Sequence, residues 1–267
     1  MNMKNFIDIN KNAWNKKTPL HVASAFYDMP SFLAGKNSLN KIEMDLLGDV
    51  KGKSILHLQC HFGQDSISLG RMGAKVTGVD FSDVAIAKAK ELAASLQVDT
   101  EFICADIFDL PDLLFEQFDI VFSSYGTIGW FPDINKWARL IASYVKPGGR
   151  FIFAEFHPVV WMYDNDFNEI AYSYFNGDPI EEDLTGTYAA KEDALVTKTI
   201  TWNHGLCEVI QALLSHGLQL CQCNEYDYSP YNCLPGMEEF EKGKYRIAKW
   251  GNKIPLLYAL AAEKRSL

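Results

Sequence analysis

Between residues 53 and 155 five short apolar runs alternate with helical stretches, and this rhythm restricts the fold more than any other feature of the chain. The runs are 53–60, 75–80, 100–105, 118–124 and 150–155. Between them, 65–72 places apolar residues at 67, 69 and 72, and 82–94 opens on a capping Ser82 and is rich in Ala, Lys and Glu. A third helical stretch, 134–145, is stopped by Lys146, Pro147 and two glycines. Parallel strands cannot be joined by tight hairpins, so the alternation predicts βαβ crossovers and a doubly wound α/β sheet with helices on both faces. Ligands in such sheets collect beyond the C-terminal ends of the strands. Residues 59–63, 80–82, 106, 123–125 and 155–157 are therefore expected to converge.

The flanks break the rhythm. Residues 1–50 mix helical patches with Pro19, Pro30 and Gly35 and read as a helical N-terminal cover. Residues 158–203 are aromatic, with Trp161, Tyr163, Phe167, Tyr172, Tyr174, Phe175 and Tyr188, and contain a β-rich run at 194–202; they read as a cap inserted over the cleft. A helix at 206–215, a strand at 218–226, a polar connection with Pro230, Pro235 and Gly236, and a last strand at 254–262 close the chain with a β-β ending. With no internal repeat and no linker, 1–267 reads as one domain: cover 1–50, core 51–157, cap 158–203 and a C-terminal helix and strand pair 204–267.

Composition narrows the partners. The chain is 48% hydrophobic and 22% charged, enough to bury one sizeable core. A net charge of -9 repels a phosphate backbone, so no nucleic-acid partner is expected. No apolar stretch approaches a membrane span and the opening residues lack an apolar leader, which predicts a soluble, cytoplasmic protein without a membrane partner. The six cysteines suit a reducing compartment, and the Cys221/Cys223 pair has no second Cys/His pair at zinc spacing, so no metal is expected. His204 and Glu208, one helical turn apart, read as a surface or capping pair.

The turn after the first strand, 58–63, is not a Gly-x-Gly-x-x-Gly; only Gly63 supplies an unrestricted backbone. Asp80 ends the second strand about 20 residues beyond the turn, where a carboxylate accepts ribose hydroxyls, and Phe81 beside it is either an adenine contact or core. Asp106, ending the third strand, is placed to accept from an exocyclic adenine amine.

As a series, the turn 55–63, Asp80-Phe81-Ser82, Asp106-Ile107, the strand 118–124 and the Lys146 to Gly149 stop resemble the class I S-adenosylmethionine-dependent methyltransferases over residues 40–157. The resemblance implies a Rossmann-like seven-stranded sheet of order 3-2-1-4-5-7-6 with strand 7 antiparallel. It implies S-adenosyl-L-methionine as cofactor and methyl transfer to an O or N atom of a small-molecule acceptor. By position, Gln59, Cys60, His61 and Gly63 would hold the methionine moiety, Asp80 the ribose with Phe81 and Ser82 next to it among the cofactor-binding residues, and Asp106 with Ile107 the adenine. Ser123 and Ser124 would border the methionine end, and Trp14, His21 and Tyr27 resemble residues that close over the cofactor.

The chain departs from the family in one place. The usual acidic-x-Gly-x-Gly-x-Gly turn has His57 for the acid and Gln59 and His61 for two glycines, whose side chains are expected to contact the cofactor by polar groups. Alignment and exclusion of water supply much of methyl transfer, so no side-chain base is obligatory. If one is used, His157, past the fifth strand, is the first candidate, against a structural role before Pro158. Two other readings share part of the pattern: a non-catalytic S-adenosylmethionine-binding protein, and an NAD-dependent dehydrogenase, which leaves Asp106 without a role. Oligomeric state is not legible.

Overall fold

A computed structural model gives the protein's structure over residues 3–265. Eleven strands are formed among the described residues: β1 (Ser54–Leu58), β2 (Lys75–Asp80), β3 (Thr100–Cys104), β4 (Phe118–Ser124), β5 (Val145–Phe156), β6 (Ile180–Thr185), β7 (Val196–Thr201), β8 (Leu218–Tyr226), β9 (Met237–Glu241), β10 (Lys244–Ile247) and β11 (Leu257–Lys264). The α-helices are α1 (Met3–Ala23), α2 (Met29–Leu33), α3 (Lys41–Leu47), α4 (Gln64–Arg71), α5 (Asp83–Leu96), α6 (Ile134–Tyr144) and α7 (Leu206–Ser215).

Seven strands form one sheet in the order β3-β2-β1-β4-β5-β11-β8. The first five are parallel, and β11 runs antiparallel to both neighbours. This is the expected 3-2-1-4-5-7-6 sheet with its reversed last strand. Successive side chains leave opposite faces. Leu56, Phe151, Phe153 and Leu260 join Trp137 of α6 and Leu213 of α7 in one core, whereas Ile55, Ile152, Ala154 and Ala259 join Ile42, Leu46 and Leu47 of α3 in the other. A third cluster packs α4 and α5 against Phe102 and Phe32.

Three local differences from the sequence reading have physical causes. β5 starts at Val145 rather than 150, because the ladder runs through the glycine pair; a Cβ on Gly149 would stand 2.9 Å from the Asp119 carbonyl oxygen. β11 starts at Leu257 rather than 254, since Pro255 has no N–H to give a ladder and Ile254 packs outside the sheet. The stretch read as a polar connection holds the hairpin β9–β10, whose Met237 and Ile247 pack with Leu234, Leu256, Val160 and Phe167 in a small apolar cluster of their own.

Within 158–203, β6 and β7 pair as an antiparallel hairpin. It is tied to α1 by reciprocal bonds: Asn10 Nδ2 donates to the Ile200 carbonyl at 2.8 Å, and the Ile200 N–H donates to Asn10 Oδ1 at 2.9 Å. Among the described residues no helix is long and apolar enough to cross a membrane.

Candidate functional site

The turn between β1 and α4 has left-handed backbone at alternate residues, with φ of +55° at Gln59, +51° at His61 and +80° at Gly63. Those are the three positions where the glycine-rich pattern has glycine. Only the third is required by packing: a Cβ on Gly63 would lie 2.7 Å from the Phe102 ring and 2.9 Å from Ala89 Cβ. At the other two the chain carries side chains in a conformation that costs an L-residue roughly 1–2 kcal/mol. The turn's backbone path is thus kept while two of its glycines are gone.

Both side chains are used. Gln59 Nε2 donates to the Thr127 carbonyl at 2.8 Å and leaves Oε1 buried without a partner. The His61 N–H donates to Asp80 Oδ2 at 2.9 Å, and its ring Nε2 lies 3.0 Å from Nδ1 of His21 on α1. His61 Nδ1 and His21 Nε2 are buried without partners. Burial holds both imidazoles neutral, His21 down to about 3 with Lys17 adding to the effect, and His61 well below the usual range. His57, where the family has an acid, is buried and bonds Ser66 of α4 through Nδ1 at 2.8 Å, tying strand to helix.

Asp80 ends β2 with its carboxylate at the turn. Besides the His61 bond, Oδ1 accepts from the Ser82 N–H at 2.8 Å. Burial pushes its pKa up to about 6 against the pull of those N–H groups. Each oxygen has one strong donor, so acceptor capacity is left on both. Ser82 caps α5, accepting from the Ala85 N–H and donating to Asn15 Oδ1 of α1 at 2.6 Å, and Phe81 is partly exposed beside it. The Ala105 N–H donates to the Asp80 carbonyl at 3.0 Å, which sets the end of β3 next to that of β2. Asp106, partly exposed, caps the 3₁₀ turn Ile107–Asp112 through the Phe108 N–H, and Ile107 is buried beside Leu58 and Val79.

Beyond β4 the loop 125–128 is clasped by Glu155 at the end of β5. Its fully buried carboxylate accepts from the N–H groups of Gly126, Thr127 and Ile128 and from the Thr127 hydroxyl. Ser123 donates to Thr127 Oγ1 at 3.1 Å, and Ser124 is partly exposed. Trp130 donates to the Gly126 carbonyl at 2.6 Å and presents its ring to Trp14, 5.6 Å between centroids; Trp14 is edge-on to His61 at 5.1 Å. The structure therefore brings Trp14, Gln59, His61, Asp80, Ser82 and Ser123 into one connected set.

Among the remaining expected site residues, Cys60 and His157 are engaged elsewhere. Cys60 has its N–H on the Val79 carbonyl, its carbonyl on the Gly63 N–H, and its thiol packed with Phe62, Ile67 and Phe102, so it supports the turn from beneath. His157 is turned toward the far sheet edge: its Nε2 faces Glu225 Oε1 of β8 at 2.8 Å, and Nδ1 accepts from the Val159 N–H at 3.2 Å. The only lone pair of a neutral imidazole is thereby occupied. The ring of His157 thus contacts β8 across β11 and the loop after β5, and none of the connected set around Asp80.

Sequence reasoning missed Thr127, Trp130 and Tyr188. The first two follow Tyr125 and Gly126, both with positive φ (+53° and +77°), and the sequence signal was the glycine-flanked stretch after an apolar strand. Tyr188, whose hydroxyl meets that of Tyr27 at 2.5 Å, had no signal beyond its aromaticity. His204 Nε2 bonds the Phe131 carbonyl at 2.8 Å and Nδ1 lies 3.3 Å from Glu208. Among the described residues no group of three or more His, Cys, Asp or Glu is arranged to hold a metal ion.

Residues 55–149 match the family described as "Methyltransferase domain". A curated relative, the ubiquinone biosynthesis O-methyltransferase of Coxiella burnetii (strain Dugway 5J108-111), is 31% identical over 152 residues, 56% of this chain and 58% of that protein. The chain thus spans less than two thirds of the length of the relative it matches. Among solved structures, an S-adenosylmethionine-dependent methyltransferase from Mesorhizobium loti is similar with a TM-score of 0.56 at 20% identity, over 86% of this chain and 99% of the other. Another from Clostridium acetobutylicum ATCC 824 has a TM-score of 0.58 at 15% identity, over 96% and 99%. The fold read from the sequence, that of the class I methyltransferases, is borne out.

Proposed function

We propose that this chain, whose residues 55–149 carry a methyltransferase domain, transfers the methyl group of S-adenosyl-L-methionine to a nucleophilic oxygen or nitrogen of a small molecule. The observation that carries this reading is the turn: left-handed backbone at 59, 61 and 63, facing a buried Asp80 whose oxygens have acceptor capacity to spare. Unpartnered Gln59 Oε1 is the acceptor a methionine ammonium needs, so the residues present fit the cofactor without the missing glycines.

When bound, the cofactor supplies an electrophilic methyl on a sulfonium. In this reading Asp80 holds the ribose hydroxyls with Phe81 and Ser82 beside them, Asp106 and Ile107 meet the adenine, and Gln59, Gly63 and Ser123 with Ser124 line the methionine end. Trp14 and Trp130 exclude water, and the Trp14 face favours a cation. Cover 1–50 and cap 158–203 close the cleft of a single domain, and acceptor choice belongs to them. Oxygen is the favoured acceptor atom, because the curated relatives are O-methyltransferases of ubiquinone biosynthesis. Six unpaired cysteines support a cytoplasmic setting.

The test is transfer of label from methyl-labelled S-adenosylmethionine to a panel of small phenols, carboxylic acids and amines. Product formation on any of them is expected. Tight cofactor binding without turnover on the panel would instead favour a non-catalytic binding protein, and binding of NAD alone would favour a dehydrogenase.

A further inference from the structure

We propose that Lys17 of α1 is a carboxylate-binding residue of the site, its ammonium pairing with a carboxylate that a bound ligand brings. The inference rests on the methyltransferase reading above and deepens it. Lys17 is only 7% exposed, and covering a cation is costly unless it is paired. Other lysines of the chain have partners: Lys11, on the same helix, pairs with Asp83 at 3.2 Å, and Lys264 donates to the carbonyls of Ala142 and Val145. Among the described residues no carboxylate acts on Lys17, whose ammonium has only the ring of Trp14 beneath it, 5.6 Å away. A ring face attracts a cation far less than a carboxylate in contact does.

A lysine that merely covers apolar surface lays down its stem and keeps the ammonium in water. Lys17 departs from that pattern, because burial reaches the ammonium itself and brings its pKa down to about 8. The nitrogen is nevertheless not sealed off: it differs in this from His21 Nε2 and His61 Nδ1, which are enclosed and partnerless. A cation largely stripped of water, still charged at neutral pH and open to an entering group, is an anion site in its free state.

The surroundings say which anion. Lys17 stands about one helical turn from both Trp14 and His21, and its charge lowers the His21 pKa. Trp14 is edge-on to His61 and Trp130, and His21 meets His61, whose N–H goes to Asp80, so Lys17 belongs to the set gathered at the turn. The turn itself has few donors to give, since the N–H groups of Cys60, His61 and Gly63 are taken by the Val79 carbonyl, Asp80 and the Cys60 carbonyl. With both imidazoles held neutral, Lys17 is the one positive charge of this set, which balances a singly charged carboxylate and leaves a phosphate dianion half neutralised. Two carboxylates meet this description, that of the cofactor's methionine part and one carried by the acceptor.

The test compares the full wild-type chain with Lys17→Met, which keeps the length of the stem and removes the charge, by calorimetry at about pH 7. The variant's melting temperature, expected at or above that of wild type because an unpaired covered charge has gone, shows that it is folded. The probes are S-adenosylhomocysteine and 5′-methylthioadenosine, which keeps the nucleoside and the sulfur and lacks the amino-acid end. If the carboxylate is the cofactor's, the variant binds S-adenosylhomocysteine at least about tenfold more weakly and 5′-methylthioadenosine within about threefold of wild type. If it is the acceptor's, S-adenosylhomocysteine binding is unchanged, and benzoate titrated into the S-adenosylhomocysteine-saturated protein weakens at least about tenfold while phenol does not. Either result supports the assignment. An equal loss for S-adenosylhomocysteine and 5′-methylthioadenosine, or no loss in either arm, overturns it and leaves the methyltransferase reading standing. If the wild type binds neither S-adenosylhomocysteine nor 5′-methylthioadenosine, that reading falls and the inference with it.

Discussion

The sheet and the cover over its C-terminal edge are held together by different forces. In the sheet, Ile55, Leu56, Leu58, Val79, Phe122, Phe151, Ile152 and Phe153 are fully buried among apolar neighbours on both faces. Over the edge, α1 is fastened mainly by directional contacts: Asn10 to the β7 backbone, Asn15 to Ser82, and His21 to His61. Apolar burial stabilises in proportion to area and tolerates a modest shift, whereas a hydrogen bond is lost within a fraction of an ångström. The sheet is therefore the rigid platform, and α1 is the part held by contacts that a small displacement breaks.

That contrast can be broken by substitution. Phe153→Ala should have the largest effect, roughly 3–5 kcal/mol of lost stability in urea unfolding, with unchanged cofactor affinity in the folded fraction. An affinity change matching the stability loss would mean that platform and site are not separable. Glu155→Gln comes next, at about 2–3 kcal/mol. Both carboxylate oxygens accept from N–H or O–H donors, so either placement of the amide sets an NH₂ against a donor. Because the same loop holds Gln59, this variant should weaken cofactor binding as well as the fold; a purely thermal effect would detach the loop from the site. His157→Asn should cost least, about 1 kcal/mol, with wild-type turnover, and a large loss of turnover at intact stability would restore His157 as the base.

The sequence displayed the platform and the strand ends around which the candidate site is gathered. Five parallel strands were legible because each is a compact apolar run punctuated by helix formers and turn residues, and the β-β ending was legible for the same reason. Of the hairpins β6–β7 and β9–β10 only β7 was legible, as the β-rich run 194–202; β6, β9 and β10 were not, since most of their residues are charged or partly exposed and their pairing is set by what they pack against. Asp80 and Asp106 were legible as carboxylates at strand ends, where both also accept from nearby backbone N–H groups. The left-handed backbone of Gln59 and His61 was hidden by the side chains themselves, as glycine is the usual mark of that conformation. Position along the chain placed His157 at the rim without saying which way it faces, and its buried ring lies beside Glu225, two strands over.

Asp80 also gives the site a pH signature. Its folded pKa of about 6 lies above the ordinary carboxylate value, so the fold disfavours its charged form, and the free protein loses stability from this group as pH rises from about 4 through about 6. Asp65, raised to about 6 by burial, adds in the same direction. In its proposed role Asp80 binds the ribose as the ionised carboxylate, so cofactor binding is expected to gain over the same interval. Below pH 6 the affinity for cofactor should fall by up to about tenfold per unit, and Asp80→Asn should flatten that slope while Asp65→Asn should not.

Calorimetric titration of S-adenosylmethionine into the wild-type chain and into Asp80→Ala at neutral pH tests the central claim most directly. The account predicts binding by the wild type and a loss of about 1.5–3 kcal/mol, roughly 10- to 150-fold, in the variant. No binding by the wild type, or equal affinity in the two proteins, would contradict it.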